Sequence, residues 1–253
     1  TSLPLISLNL FPLLISSKMI HLGAARSGGK RIYDFDDINN STNADVGYFL
    51  KLSDSSNIKK NINDQLRESK IANGINSKPV DDENHDLREI IIYPYDESID
   101  KLEDNKININ LIDTGYGISQ ILPIIINSII LDSNTILVQQ PETHLHPRLQ
   151  AEVGTIIAKS IKNNKNKSNK GANLRSRYKK NWVIETHSET LLFRLLKEIR
   201  NGNLNHNQLN VLYIDHNKEK GSKVKKMLIS EDGELLSQWP DGFFSTDIEE
   251  VFD

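Results

Sequence analysis

The chain has 253 residues, 31 Lys and Arg against 34 Asp and Glu, and a formal net charge of -3. That length suffices for one large domain or a domain with a lobe and a sizeable core, and the slightly acidic balance supplies no global basic field for nucleic acid. With no cysteine, a disulfide scaffold and a thiolate zinc site are excluded, and the composition fits a reducing cytoplasm.

The run SLPLISLNLFPLLIS near the start is apolar like a signal h-region, but no basic stretch precedes it and Pro4 and Pro12 interrupt it. No targeting or membrane role is expected from it. The chain opens on Thr1 rather than Met, which reads as a fragment whose true N-terminus lies upstream. GAARSGGKR, Gly23 to Arg31, is the nearest approach to a phosphate loop G-x-x-x-x-G-K-[ST]. It fails the pattern, because Ala24 stands at the first glycine and Arg31 at the hydroxyl position. Residues 53–110 are rich in Asn, Asp, Ser and Lys, and they read as loops or a low-complexity insertion rather than a second core. REIIIYPY, Arg88 to Tyr95, is a predicted strand within that stretch.

From Ile107 the pattern sharpens. INLIDTGYGISQ reads as strand, glycine turn and helix start, with Ser119 capping a helix from Gln120 to Leu131 and Pro123 in its first turn. That helix is apolar nearly all round, which predicts burial. The strand TILVQ follows, then a helix from Pro147 with Leu149, Val153, Ile156, Ile157 and Ile161 on one face. WVIE, Trp182 to Glu185, is a second buried strand, followed by THS and a helix that stops at Gly202. LNVLYID reads as a strand, and KVKKMLISEDGELLS as a hairpin turning at Asp232-Gly233. Strands alternating with helices predict an α/β layer with a largely parallel sheet.

Each motif carries a bland reading beside a functional one. TGYGISQ places two glycines and a hydroxyl at a helix N-terminus, where free N–H groups favour an anion, yet such turns are common. His144 and His146, two apart in a loop, suit capping and loop hydrogen bonding better than metal ligation. ETHS ends a strand, so His187 stands at the C-terminal edge of the sheet, where open α/β folds bind ligands. The stretch Lys162 to Lys180 carries eight Lys and Arg and no acid. It reads as a mobile solvated loop, with nucleic-acid contact the minority reading.

The order of these motifs is specific. A strand–GxGxSQ–helix, a strand ending QPExHLHP and a strand ending ETHSE resemble the C-terminal half of ABC-type ATPases of the AAA/SMC-like and OLD-like groups. The likeness is nearest to prokaryotic AAA-family ATPases that carry a short C-terminal domain of unknown function, whose ending is similar to DGELLSQWPDGFF here. It runs from about Leu111 to Phe244, and HLGAARSGGKRIYDF resembles that family's middle region. The implied fold is α/β, a P-loop-NTPase-like layered sheet of ABC ATPase type with flanking helices, an irregular N-terminal part and a C-terminal β-hairpin. The implied division is 1–110, a partial N-terminal and middle region; 111–202, the ATPase half; and 203–253, a small family-specific domain.

The resemblance also implies roles. Gly115, Gly117, Ser119 and Gln120 occupy the ABC signature, which reaches across a head-to-head homodimer to the γ-phosphate of ATP. ILVQQPE occupies the Walker B place, with Gln139 toward Mg²⁺ and Gln140 and Glu142 as catalytic candidates. His187 matches the switch histidine, and HLHP the loop joining the protomers. No residue is assigned as a direct metal ligand. Two departures follow. Relatives read EQPE where this chain reads QQPE, and an amide supplies neither negative charge nor a useful proton acceptor; Glu142 then stands as the only carboxylate left nearby. The Walker A half is absent.

The expectation is thus an ATP-binding or ATP-hydrolysing half-module, impaired in this chain, cytoplasmic, without membrane contact, and acting on DNA or with a nuclease partner in defence. The alternatives are a non-catalytic scaffold or regulatory remnant, and a metal hydrolase using His144, His146, His187 and Glu142. The chain alone is expected to show no ATP turnover, and Gln139→Glu is expected to raise turnover once a phosphate loop is supplied. Ser119, Gln140, Glu142 and His187 are expected at one edge of one sheet.

Overall fold

The structure, a computed structural model, describes residues 19–26, 28–81, 86–99, 102–130, 135–166, 180–217 and 221–238. Strands and helices are numbered in chain order. The site is built on a parallel sheet of three strands, β1 (Met19–Leu22), β5 (Thr135–Gln139) and β6 (Asn181–Glu185), in the order β1-β5-β6. The registers pair Leu22 with Val138, Val138 with Ile184, and Gln139 with Glu185. Side chains alternate across the pleat. Ile20, Leu22, Ile136, Val138, Trp182 and Ile184 therefore join the main apolar cluster on one face. The opposite face carries Met19, 48% exposed, and Val183, 56% exposed, among the exposed polar residues His21, Gln139, Asn181 and Glu185.

The core face packs with α4 (Tyr116–Ile129) and α5 (Pro147–Asn166). In α4 the run Ile121, Leu122, Ile124, Ile125 and Ile126 is fully buried, as its all-round apolar sequence predicts. Its start corrects the sequence reading. The cap is Gly115 at φ +86°, and Ser119 lies buried inside the helix rather than ahead of it. The chain turns where a residue without Cβ allows positive φ, four residues before the first hydroxyl. Pro123 consequently falls in the helix interior and not in the first turn. At the far end, buried Lys180 donates to the carbonyls of Asn127 and Ile130, placing a cation where the helix dipole is negative.

Residues 53–110 are not an irregular insertion. Two short helices, α1 (Phe35–Asn40) and α2 (Tyr48–Leu52), come before the stretch, which itself holds α3 (Ser56–Glu68) and an antiparallel sheet of β2 (Ala72–Pro79), β3 (Arg88–Pro94) and β4 (Ile109–Asn110). The apolar residues are sparse but sit at helical spacing: Ile58, Ile62 and Leu66 lie four apart, and Ile62 and Leu66 are fully buried. With Ile75, Ile90 and Ile92 they join the same cluster as the parallel sheet, so this stretch has no core of its own among the described residues. β4 pairs with β3, so the strand ahead of the glycine turn belongs to this antiparallel sheet. Ser119 therefore does not share a sheet edge with Gln140, Glu142 and His187.

Helix α5 continues to Asn166, so residues 162–166 of the basic stretch are helical; 167–179 lie outside the described residues. Ser188 caps α6 (Glu189–Arg200), its Oγ accepting from the Leu191 N–H at 3.0 Å. The chain leaves that helix through Gly202 at φ +69°. Leu192, Leu196, Ile199 and Leu204 form a second cluster against Val211, Ile229 and Leu235. Here β7 (Val211–Asn217) and β8 (Gly221–Met227) make the C-terminal hairpin. The main hairpin thus lies one turn earlier than expected. Asp232-Gly233 forms a smaller turn closed by the Ile229–Leu235 bridge. A Cβ on Gly233 would come within 2.3 Å of the Leu196 carbonyl of α6.

Candidate functional site

β5 and β6 end side by side, and the chemistry-bearing residues follow both ends. The Gln140 N–H donates to the Glu185 carbonyl at 2.7 Å, extending the ladder by one step. The chain then turns sharply, with Gln140 at φ +43° and His144 at φ +61°. Both values are uncommon for residues that carry a Cβ. This turn swings Glu142 across to the end of β6. One carboxylate oxygen accepts the Thr186 hydroxyl at 2.7 Å and the other accepts the His187 backbone N–H at 2.7 Å. Glu142 is therefore a clip between two loops, with both oxygens engaged. The clip continues into α6: the Ser188 N–H donates to the Thr186 hydroxyl at 2.9 Å, and the Ser188 hydroxyl donates to Gln150 of α5 at 2.7 Å. The His187 side chain itself stands exposed.

A second carboxylate is present, contrary to the sequence reading that left Glu142 alone. Glu185 lies in register with Gln139 and accepts its amide N–H at 3.2 Å. The amide oxygen of Gln139 meets His21 Nε2 at 3.1 Å. His21, Gln139 and Glu185 thus form an exposed polar row across the ends of all three parallel strands. Parallel pairing in register made Glu185 a neighbour of Gln139, and that pairing is not visible in a linear motif.

The start of α4 packs against the same region from the side. Gly117 lies where an added Cβ would meet the His144 carbonyl at 3.6 Å and Leu145 and Leu149 at 3.7 Å. The Tyr116 ring sits edge-on to His144 with centroids 5.0 Å apart. Ser119 and Gln120 are 3% and 0% exposed, and Gln120 Nε2 donates to the Arg26 carbonyl at 2.9 Å. Gln139, Gln140, Glu142 and His187 are thus gathered at the strand ends, with Gly115 and Gly117 at the adjoining helix start. Ser119 and Gln120 face inward.

His144 and His146 do not converge. His146 Nδ1 accepts the Arg148 N–H at 3.3 Å, a capping contact at the start of α5. Among the described residues no group of three or more His, Asp or Glu could hold a metal ion.

No sequence motif singles out Arg26, because two of its partners lie more than 100 residues away in the chain. Its guanidinium reaches the carbonyls of Gln139 and Pro141. The loop that carries it is no phosphate cradle: Lys30 is paired with Asp37, and Arg31 makes a two-point contact with Asp113 at 3.0 and 2.7 Å. The next helix begins only at Phe35.

The sequence model of the family described as AAA ATPase domain matches residues 33–192. A second, described as Protein of unknown function (DUF3696), matches residues 204–245. No curated protein sequence matches the chain. Among solved structures the chain is similar to an Smc head domain with a coiled coil and joint from Pyrococcus yayanosii, at 12% identity and a TM-score of 0.44, covering 71% of this chain and 28% of that one. It is also similar to an Smc head domain with an extended coiled coil, bound to the C-terminal domain of ScpA, from Pyrococcus furiosus, at 12% identity and a TM-score of 0.43, covering 71% and 36%. The chain thus spans about a third of the length of each of these two. No helix among the described residues is long and apolar enough to cross a membrane.

Proposed function

We propose, from the premise that this chain belongs to the AAA ATPase domain family, that it forms the signature-and-switch half of an ATP site whose phosphate-cradling part packs onto the open face of the parallel sheet. The observation that carries this reading is that open face. Parallel sheets are found covered on both sides, yet here Met19 and Val183 are about half exposed on one side. Among the described residues no strand pairs with the far edge of β6, and an unpaired edge is a template for a further strand. The free edge and the exposed Val183 both belong to β6, the strand that leads into His187.

The residues present suit one part of ATP binding and not another. Gly115, Gly117 and the exposed His187 side chain offer backbone N–H groups and an imidazole to a terminal phosphate. Ser119 and Gln120 would join them only on a rearrangement of the start of α4. The Mg²⁺ side does not fit. Gln139 is a neutral amide whose oxygen is already bonded to His21, and the Glu142 oxygens hold Thr186 and His187. These residues as placed do not supply a Mg²⁺ site for hydrolysis. The engaged state of Glu142 favours a second reading, in which the chain retains the site's framework as a regulatory or scaffold unit without turnover.

The division near residue 203, between the ATPase half and a small C-terminal unit, agrees with the separate family match at residues 204–245. Head-to-head pairing of two copies, a DNA or nuclease partner, a role in defence and a cytoplasmic location rest on the resemblance alone. The test is ATP binding by calorimetry, on the chain alone and on the chain joined to a strand–phosphate loop–helix unit from another AAA ATPase domain. The chain alone should show no saturable binding and no turnover. The joined protein should bind, and Val183→Lys on the open face should abolish that binding. Saturable ATP binding by the chain alone, lost with His187→Ala, would overturn the proposal.

A further inference from the structure

Arg26 is 4% exposed, and removing a guanidinium from water is costly unless its donors are matched. Its matching is peculiar, because the acceptors are all backbone carbonyls. Nη1 donates to Gly23 at 3.3 Å and Gln139 at 3.4 Å, and Nη2 to Pro141 at 3.2 Å. Nε is buried with no hydrogen-bond partner, and so is Oε1 of Gln120. A well-packed apolar residue would fill such a place at lower cost, so the arrangement calls for a reason other than stability.

The reason lies in what the residue joins. On its backbone side, the Arg26 carbonyl accepts the Tyr116 hydroxyl at 2.8 Å and the Gln120 amide at 2.9 Å, both from the start of α4. On its side-chain side, the guanidinium holds the two carbonyls that flank Gln140. Gln140 is one of the two positive-φ residues of the turn that delivers Glu142 to His187. Residues in such sparsely populated conformations stay there only when their surroundings hold them. Burial lowers the Arg26 pKa, while the Glu142 carboxylate nearby favours the charged form.

We propose that Arg26 is a positioning residue that couples the start of α4 to the clip between Glu142 and His187. A change at Tyr116 or Gln120 shifts the Arg26 backbone, and the guanidinium carries that shift to the strained turn and so to the switch loop. The Tyr116–His144 ring contact is a second path between the same two regions, and a variant that keeps the ring separates the two. The functional meaning rests on the half-site reading above, but the test needs no nucleotide.

The experiment is native-state hydrogen exchange of the full chain, read at the His187 amide, whose acceptor is Glu142. Tyr116→Phe removes only the hydroxyl and keeps the ring against His144. It should speed His187 exchange about fivefold, the equivalent of one net hydrogen bond, with the Ile156 and Ile157 amides of α5 unchanged. Gln120→Leu should act in the same direction. In an Arg26→Lys background, where one ammonium cannot span both carbonyls, His187 exchange should already be fast and Tyr116→Phe should add less than about twofold. If Arg26→Lys does not fold, the two variants at Tyr116 and Gln120 decide the matter. Unchanged His187 exchange in both would overturn the coupling, as would an equal effect of Tyr116→Phe in the two backgrounds. Failure of ATP binding would leave this result standing, so the two proposals fail separately.

Discussion

The carboxylate of Glu142 accepts the backbone N–H of His187 at 2.7 Å, although 45 residues separate them in the chain. A carboxylate that looks like a candidate base in the sequence is thus spent on geometry. It fixes where the backbone of the switch residue lies and leaves the imidazole free in solvent.

Glu142→Ala should leave the Thr186 hydroxyl and the His187 N–H without their acceptor and lower stability by about 1–3 kcal/mol. Glu142→Gln keeps one carbonyl oxygen and should lose less. Urea denaturation of the two variants measures the difference; equal losses would show that the hydrogen bond Gln can retain contributes nothing.

The two glycines of the TGYG turn should respond in opposite directions. Gly115→Ala forces a Cβ into φ +86°, at a cost of about 1–2 kcal/mol. Gly117 lies within α4 with only ordinary contacts around an added Cβ. Gly117→Ala should therefore raise stability by about 0.5–1 kcal/mol. Thermal melts of the pair check the signs. If Gly117→Ala stabilises the fold yet weakens nucleotide binding by the joined protein, that glycine serves the ligand.

Gln139→Glu sets a second carboxylate beside Glu185, its register partner. Directly opposed like charges on neighbouring strands destabilise by about 0.2–1 kcal/mol. Without divalent ions the variant should melt below the parent, and millimolar Mg²⁺ should close the gap. The expected gain in turnover of the joined protein therefore depends on that ion being bound. A variant as stable as the parent in chelator would contradict the placement of Glu185.

Lys180→Met keeps the apolar stem but removes the ammonium that bonds the last carbonyls of α4. Hydrogen bonds to charged groups contribute about 1.5–3 kcal/mol, and the buried carbonyls would lose their donor. The melting temperature should fall clearly. An unchanged value would mean that water reaches those carbonyls.

Much of the framework could be read directly from the chain. TILVQ, WVIE and REIIIYPY are strands because β-branched runs bounded by turn residues admit few alternatives. The helix from Pro147 buries Val153, Ile156 and Ile157, the face its spacing marked. Four features are not legible in the sequence, for physical reasons. The helix at Ser56–Glu68 is hard to see because only every fourth residue is apolar and polar or charged residues fill the rest. The start of α4 was misplaced because a positive-φ glycine, rather than a hydroxyl, sets it. Glu185 and Arg26 were overlooked because their neighbours come from strand pairing and from a loop more than 100 residues away.

Helix α6 begins two residues after His187, at Glu189 beyond the Ser188 cap, and its 12 residues end against the C-terminal hairpin. At 1.5 Å per residue it is a rod about 18 Å long. Gly233 rests so closely on Leu196 that no side chain fits between them, which leaves little slack at the outer end. Pivoting that rod at Ser188 by about 5° would swing its far end by about 1.5 Å. The hairpin therefore stands to the switch loop as a pointer stands to its pivot, and small displacements beside His187 would be legible as larger ones on a distant surface.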